Sequence, residues 1–139
     1  MFLFSPGGYS SHPRITISNV GYEDEEIDAK RIKLDKIFTH ARQAYTYIYD
    51  FGDDWKHKIK LEKIIEGKTS TADCIAGEGA CPPEDCGGPW GYWNLREVLK
   101  DPTNPQHEDM KEWLCLGDDN EWDVNNFDLE KTSKIVRLI

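Results

Sequence analysis

The feature that most constrains the fold is a pair of strand-like segments joined by a short turn. Residues 44–51 (AYTYIYDF) are rich in side chains that favour a pleated, half-buried surface. Residues 55–64 (WKHKIKLEKI) alternate between a lysine side and an apolar side, the latter comprising His57, Ile59 and Leu61. Between them, Gly52-Asp53-Asp54 has a turn composition. The sequence therefore predicts an antiparallel hairpin in which Ile59 and Leu61 are buried and Lys58 and Lys60 are exposed.

Weaker signals precede the hairpin. Residues 2–4 and 14–17 are each predicted as a brief strand between turns rich in Gly, Ser and Pro. The acidic run at residues 23–28 is predicted as a solvated loop. Leu34, Ile37 and Phe38 have helical spacing, which suffices for one or two turns.

The second half begins with a long loop and continues as helices. Residues 67–91 contain three cysteines and two proline-containing turns, and a loop of this length needs contacts that order it. We expect three aromatic side chains to pack against the sheet or the last helices and hold this loop: Trp90, Tyr92 and Trp93. Helices are predicted at residues 93–100, from Asn104 and Pro105 to Cys115-Leu116 with a stop at Gly117, and at residues 128–138.

Length and charge limit the classes of protein to consider. The chain has 139 residues, which suits a single domain over residues 1–139 with a core of its own. Its formal net charge of -9 disfavours nucleic-acid binding, since phosphate backbones repel an acidic protein. No segment approaches the roughly 18–20 apolar residues of a membrane span, and none has a signal-peptide core. We therefore expect a cytoplasmic protein that does not contact membranes.

Three longer segments of the sequence are recognisable. The segments YIYDFGDDWKHKIKLEKI (47–64), CIAGEGACPPEDCGGPWGYWNLREVL (74–99) and DPTNPQHEDMKEWL (101–114) resemble the plasmid pRiA4b ORF-3-like family, a similarity that extends over about residues 22–139. The residues that carry its motifs are Asp50, Phe51, Gly52, Asp53, Asp54, Trp55, Cys74, Cys81, Pro82, Pro83, Glu84, Asp85, Gly87, Gly88, Trp90, Gly91 and Tyr92. The resemblance implies an α+β fold, with a small antiparallel sheet flanked by C-terminal helices, and no demonstrated activity.

The resemblance also bears on assembly. Family members typically begin with a strand and a pair of helices ahead of a strand like Phe2-Leu3-Phe4, whereas this chain starts at that strand. A sheet that lacks part of its strands has an unpaired edge, which favours pairing with a second chain. We therefore expect a homodimer with the N-terminal strand at or near the contact.

The cysteines are the first candidates for chemistry. Cys74, Cys81 and Cys86 have a CX6CX4C spacing, and Cys115 or His107 would complete a four-ligand zinc site. This spacing differs from that of zinc knuckles, so reduced thiols are favoured, with zinc and a Cys74–Cys81 disulfide as alternatives.

The acidic turn is the second candidate. The carboxylates of Asp50, Asp53 and Asp54 are close enough in sequence to hold a divalent cation. Aspartates at a turn also bond neighbouring backbone amides without a metal, and we favour this structural role.

No catalytic signature emerges. His107-Glu108 lacks the second histidine of HExxH, and GxSxG, P-loop and GxGxxG motifs are absent. A nucleophilic pair of Cys81 or Cys86 with a histidine (His40, His57 or His107) is left open. The resolvase-like names of some family members find no support, because the arginines are scattered along the chain.

A basic stripe is the last candidate. Lys56, Lys58 and Lys60 could bind single-stranded nucleic acid if tyrosines of the neighbouring strand (Tyr45, Tyr47 and Tyr49) shared their face of the sheet. The sequence favours an interaction or accessory domain without enzymatic activity. The alternatives are a nucleic-acid-associated protein of mobile-element origin and a zinc- or thiol-dependent enzyme.

Overall fold

The strand nearest the N-terminus lies in the middle of a five-stranded sheet. This computed structural model describes residues 1–17, 26–67, 69–117 and 121–138. Its strands are β1 (Phe2–Ser5), β2 (Arg14–Thr16), β3 (Glu26–Asp28), β4 (Ala44–Tyr49) and β5 (Trp55–Lys60). Their order is β3-β2-β1-β4-β5, with β2 and β3 parallel and the other neighbours antiparallel.

The central position of β1 bears on the expected assembly. Leu3 pairs with Thr16 of β2 on one side and with Ile48 of β4 on the other. Because both neighbours belong to the same chain, β1 is not a free edge that a second copy could share. The expected homodimer, with the N-terminal strand at or near its contact, stays a prediction.

The described residues form two compact units. The N-terminal unit comprises residues 1–66 and 87–89, and the C-terminal unit comprises residues 67–86 and 90–139. The first contains the sheet and the short helix α1 (Leu34–Ile37), and α2 (Gly88–Lys100), α3 (His107–Trp113) and α4 (Leu129–Val136) follow. The sheet and the helices confirm the predicted α+β class.

The predicted hairpin is confirmed, but part of its burial is not. Strand β4 pairs with β5 in a register that places Tyr45 opposite Ile59. Lys58 and Lys60 are exposed as expected, whereas Ile59 is 40% exposed and Leu61 only half-buried. The expected burial of Ile59 was wrong because β5 is the edge strand of the sheet.

One face of the sheet carries an aromatic core. Phe4, Ile15, Ile37 and Tyr45 are buried together, and Phe38 packs against them. The ring of Phe4 stacks on Tyr45 at 4.9 Å between centroids. Helix α1 thus contributes Ile37 to the core, which fits the short helical segment that the sequence predicts.

The acidic run is partly a strand. Glu26–Asp28 forms β3, while residues 23–25 lie outside the described residues. Ile27 pairs with Ile15 of β2, and the carboxylate of Glu26 lies 3.9 Å from the guanidinium of Arg14. The solvated-loop prediction was wrong for these three residues, because the single isoleucine and this ion pair bring the segment to the sheet.

The C-terminal helices differ from their predicted bounds at the ends. Helix α2 begins at Gly88 rather than Trp93, and α3 begins at His107 and ends at Trp113. Helix α3 stops early because Cys115 takes a left-handed conformation with φ 54°. Helix α4 lies within the predicted range, and the Asp128 carboxylate accepts the Lys131 amide at its start. In the described part of the chain, none of the helices combines the length and the apolar character needed to span a bilayer.

The long loop before α2 is held by the C-terminal segment instead of by the predicted tryptophans. Trp90 is 83% exposed and Trp93 57% exposed, so these two rings do not anchor it. Ala80 donates its amide to the Val124 carbonyl at 2.9 Å, and the carboxylate of Asp73 pairs with Arg137. A Cβ on Gly77 would overlap the ring of Phe127, so the loop backbone packs directly on an aromatic ring.

A buried serine fixes the turn that follows β1. Ser5 is fully buried, and its hydroxyl donates to the Gly8 carbonyl at 2.7 Å and accepts the Gly8 amide at 2.9 Å. Gly8 has φ 86°, a conformation that favours glycine. One hydroxyl therefore satisfies both backbone groups of this residue.

We expect Ser5→Ala to lower the free energy of unfolding by about 1–3 kcal/mol, since it leaves the buried Gly8 amide unpaired. Urea denaturation monitored by circular dichroism measures the change. The control is Ser10→Ala, an exposed serine whose loss should change stability by less than about 0.5 kcal/mol. Equal stabilities for the two variants would contradict this role of Ser5.

Candidate functional site

The acidic turn between β4 and β5 is organised by its own side chains. The Asp50 carboxylate accepts the Gly52 amide at 3.0 Å, and the Asp50 carbonyl accepts the Asp54 amide at 2.6 Å. Asp50 and Asp54 both have positive φ, which aspartate tolerates better than most residues. These contacts fit the structural role favoured from the sequence.

Asp54 also binds two side chains. Its carboxylate accepts a hydrogen bond from the Tyr9 hydroxyl at 2.9 Å and from the Lys56 ammonium at 2.8 Å. The bond from Lys56, followed by the bond from Tyr9, holds the pKa of Asp54 below its usual value of 3.8. Burial and then the bond to Asp54 raise the pKa of Tyr9 above 10.0. Both carboxylate oxygens of Asp54 are therefore used within the protein.

Two of the family motifs meet at a backbone contact. A Cβ on Gly88 would overlap the carbonyl oxygen of Asp53, and Gly88 has φ 67°. Only glycine allows this approach without displacing the turn. The motif residues Asp53 and Gly88 therefore contact each other through the main chain.

The cysteines are spread over the C-terminal unit. Cys74, Cys81 and Cys115 are free thiols, so the Cys74–Cys81 disulfide is not formed. Cys86 is half-buried beside the first turn of α2, where a Cβ on Gly91 would overlap its carbonyl oxygen. Within the described ranges, no three His, Cys, Asp or Glu side chains form a group that could hold a metal ion. Zinc stays an untested prediction.

Three histidines were candidates for a catalytic pair with a cysteine. His107 is buried and its Nδ1 lies 3.1 Å from the Val98 carbonyl oxygen, within the C-terminal unit. His40 contacts the Thr39 hydroxyl at 3.1 Å, and the His57 ring lies 5.6 Å from that of Tyr47. The catalytic pairing of a cysteine with a histidine stays a hypothesis.

The other motif residues lie at surfaces and turns. Phe51 packs edge-on against Tyr9 at 5.9 Å, and Arg96 lies over the Tyr92 ring at 5.8 Å. The remaining members are half-buried (Trp55, Pro82, Pro83) or exposed (Glu84, Asp85, Gly87).

The lysines and tyrosines of the hairpin lie on opposite faces of the sheet. Tyr45, Tyr47 and Tyr49 pair with Ile59, His57 and Trp55, whereas Lys56, Lys58 and Lys60 pair with Ile48, Thr46 and Ala44. Directly paired residues share a face, so the two sets are separated. The combined basic and aromatic surface predicted for nucleic acid is not formed.

An apolar groove beside β5 is a feature that sequence reasoning missed. One wall comes from α1 and the residues after it (Leu34, Asp35, Phe38, Thr39), and the other from the end of β5 and the following segment (Ile59, Lys60, Leu61, Lys63, Ile64). We call it the β5 groove. Its volume of about 670 Å³ lies within the range of ligand pockets.

The two walls of the β5 groove are joined by Gln43. Its side-chain amide donates to the Ile37 carbonyl at 2.7 Å, and its side-chain oxygen accepts the Thr39 amide at 2.9 Å. Its carbonyl accepts the Leu61 amide at 2.9 Å. Gln43 therefore fixes the spacing of the walls. The groove escaped prediction because its walls come from segments at least twenty positions apart in the sequence.

Comparison with known proteins identifies the family of this chain. A family model described as plasmid pRiA4b ORF-3-like protein matches residues 3–131. The chain belongs to the plasmid pRiA4b ORF-3-like family. This confirms the resemblance carried by the motifs of the hairpin and of the loop before α2.

Two proteins similar to this pRiA4b ORF-3-like chain are described as uncharacterized or of unknown function. It is 39% identical over 114 residues to the uncharacterized protein y4hQ of Sinorhizobium fredii (strain NBRC 101917 / NGR234), covering 77% of this chain and 58% of that relative. The chain thus spans little more than half the length of this curated relative. The crystal structure of a protein of unknown function, MM3350 from Methanosarcina mazei Go1, is similar with a TM-score of 0.71 and 35% identity, over 94% of this chain and 71% of that one.

We expect Gly88→Ala to destabilise the protein by at least about 2 kcal/mol, since it adds both backbone strain and a clash with Asp53. Gly52→Ala is the matched control, because Gly52 lies in the same turn and its Cβ would meet only ordinary contacts. The control should change the free energy of unfolding by less than about 1 kcal/mol. Similar losses in urea denaturation for both variants would refute the requirement for glycine at position 88.

The charge of Asp54 should make the stability of the protein depend on pH. Because the folded protein lowers the pKa of Asp54, its bonds stabilise the fold above pH 3.8 and are lost as the pH falls through the lowered value. The difference in unfolding free energy between the wild type and Asp54→Asn should be constant from about pH 5 to 8 and shrink below about pH 4. Asparagine keeps the left-handed conformation accessible, so the comparison isolates the charge. A difference that does not change with pH would show that the charge of Asp54 is not involved.

Proposed function

We propose that this chain is an interaction module whose β5 groove and adjacent β5 edge bind an extended, acidic and apolar peptide segment of a partner protein. The observation that carries the proposal is an exposed edge strand that runs directly into a lysine-bearing apolar groove. Every residue from Lys56 to Lys60 is exposed, and Ile59 and Lys60 belong to both features.

The edge strand supplies main-chain recognition. Strand β5 pairs with β4 on one side, and no strand of the described residues pairs with its other side. An extended peptide can add to such an edge through backbone hydrogen bonds, while its alternate side chains enter neighbouring pockets. The β5 groove begins where this edge ends, so one extended segment would use both.

The apolar walls of the β5 groove offer surface that a bound peptide would bury. Leu34 is 66% exposed and Ile64 is 63% exposed on opposite walls of the groove. Removing each Å² of such apolar surface from water contributes about 25 cal/mol. Exposed apolar surface of this kind, bordered by charges, is typical of interaction sites.

Charge selects the partner. Lys60 and Lys63 line the groove against one carboxylate, Asp35, and neither ammonium forms an ion pair with another residue of the described ranges. Together with Lys58 they give this surface an excess of positive charge. Carboxylates on the bound segment would complement it, which favours an acidic peptide and steers its association.

The same lysines oppose a second copy of β5. Antiparallel pairing of two β5 strands would bring Lys56, Lys58 and Lys60 against their counterparts, and like charges on adjacent strands are destabilising. The expected homodimer stays a prediction, with no contact surface assigned. The β5 surface itself fits a partner of different sequence.

The test uses a fluorescein-labelled peptide of about eight residues that alternates glutamate and valine, the period of an extended strand. A matched peptide has lysine in place of each glutamate. We expect fluorescence anisotropy to show saturable binding of the acidic peptide, at least about tenfold tighter than binding of the basic one. Equal affinities for the two peptides, or no binding of either, would overturn the proposal.

Two variants locate the site. Lys60→Glu/Lys63→Glu should weaken binding at least about tenfold, while Lys30→Glu/Lys131→Glu makes the same change in net charge at exposed positions outside the groove and should leave it within about twofold. Ile64→Asp removes an exposed apolar wall residue and should weaken binding without loss of folding, verified by circular dichroism. If both charge variants weaken binding equally, the interaction is not at the β5 groove.

A further inference from the structure

A second cavity lies entirely within the C-terminal unit. Its volume is about 300 Å³, at the lower end of the range for small-ligand sites. It is bordered by one face of α2 (Gly91, Asn94, Leu95), one face of α3 with its cap (Gln106, Asp109, Met110, Trp113) and the turn before α2 (Asp85, Cys86). From this cavity we infer a binding site for a small organic cation, an alkylammonium or a guanidinium.

The walls are set by local geometry. Gln106, Asp109, Met110 and Trp113 follow helical spacing, so they lie on one face of α3. On the opposite wall, a Cβ on Gly91 would overlap the Cys86 carbonyl oxygen, so the turn packs directly on the α2 backbone. Asp85, in this turn, has φ 56°. A main-chain contact therefore shapes this wall of the cavity.

The lining carries negative charge without any positive counterpart. Asp85 and Asp109 are carboxylates, and no lysine, arginine or histidine is among the lining residues. The whole C-terminal unit has 7 basic and 15 acidic side chains, which gives -8 of the chain's total of -9. This distribution raises the local concentration of cations and disfavours phosphates and carboxylates as ligands.

The polar groups of the lining are available for a ligand. Asn94, Gln106, Asp85 and Asp109 form no side-chain hydrogen bond or ion pair with another residue of the described ranges. Two carboxylates and two amide oxygens provide acceptors for several N–H donors, as ammonium and guanidinium groups require. A cation that donates to them would satisfy acceptors that the protein leaves to solvent.

An aromatic and a thioether complete the chemistry. The indole of Trp113 is 47% exposed at the cavity, where its face can attract a cation. Leu95, 1% exposed, and Met110 give the cavity an apolar side that suits the methylene chain of an alkylamine. A lining that mixes acceptors with apolar side chains favours an organic cation over Ca²⁺ or Mg²⁺, which prefer oxygen ligands.

The test compares 1,4-diaminobutane, its guanidinium analogue agmatine and the neutral 1,4-butanediol of the same chain length, by isothermal titration calorimetry on the full chain. We expect saturable binding of at least one cation, at least about tenfold tighter than binding of the diol. Which cation binds more tightly distinguishes an ammonium site from a guanidinium site. Equal affinity for the diol, or no heat from either cation at millimolar concentration, would overturn the inference.

Matched variants separate a site from general electrostatics. Asp109→Asn changes one lining charge with almost no change in shape, and it should weaken binding at least about tenfold. Glu112→Gln removes the same charge from an exposed position of α3 outside the lining, and it should weaken binding less than about twofold. Equal effects of the two variants would show that cations associate with the acidic unit as a whole and would refute the site.

Tryptophan fluorescence measures cation binding independently of calorimetry. Trp113 lines the cavity, so a bound cation should change the intrinsic fluorescence of the wild type, and the change should saturate in parallel with the calorimetric signal. In Trp113→Phe that saturable change should disappear while circular dichroism is unchanged. A saturable fluorescence change of undiminished size in this variant would contradict the placement of the cation at Trp113.

Discussion

The N-terminal unit depends on the two-sided pairing of β1. This strand forms antiparallel ladders with β2 and β4, and its side chains alternate between the aromatic core and the opposite face, where Leu3 and Ser5 are buried. A strand that is paired on both edges and buried on both faces tolerates little change. The edges of the sheet are consequently β3 and β5, and β5 is the edge that leads into the lysine-bearing groove.

The motif residues with known contacts stabilise turns and close backbone approaches, whereas the proposed binding surfaces are exposed to solvent. Gly88 and Gly91 permit backbone approaches to Asp53 and Cys86, and the aspartates of the hairpin turn bond its amides and side chains. These motif residues shape the chain. The β5 groove takes one wall from the family-like segment 47–64, but none of the motif residues named above lines it. The cavity of the C-terminal unit is lined by the motif residues Asp85 and Gly91 and by Asp109 and Trp113 of the family-like segment 101–114.

The sequence predicted those features that local patterns determine. The hairpin, the short helix around Ile37 and the capped helix after Asp128 each depend on neighbouring residues, and each is present. The predictions were wrong where contacts between distant segments determine burial or secondary structure. Ile59 has the alternation of a buried residue, but its strand lies at the edge of the sheet. Glu26–Asp28 looks like a solvated run and becomes a strand only because β2 lies beside it. The β5 groove and the cavity of the C-terminal unit are each assembled from separate segments, so no local sequence motif predicts them.

The pairing of β1 also has a consequence during synthesis. Leu3 and its partner Ile48 are separated by 45 positions in the chain, so a ribosome that adds about 5–20 residues per second needs roughly 2–9 s to make the second after the first. Through that interval Phe2, Leu3 and Phe4 have no β4 to cover one edge of their strand. The nascent chain therefore presents an unprotected aromatic strand for seconds, the form of polypeptide that chaperones at the exit tunnel bind and that aggregates when they are saturated.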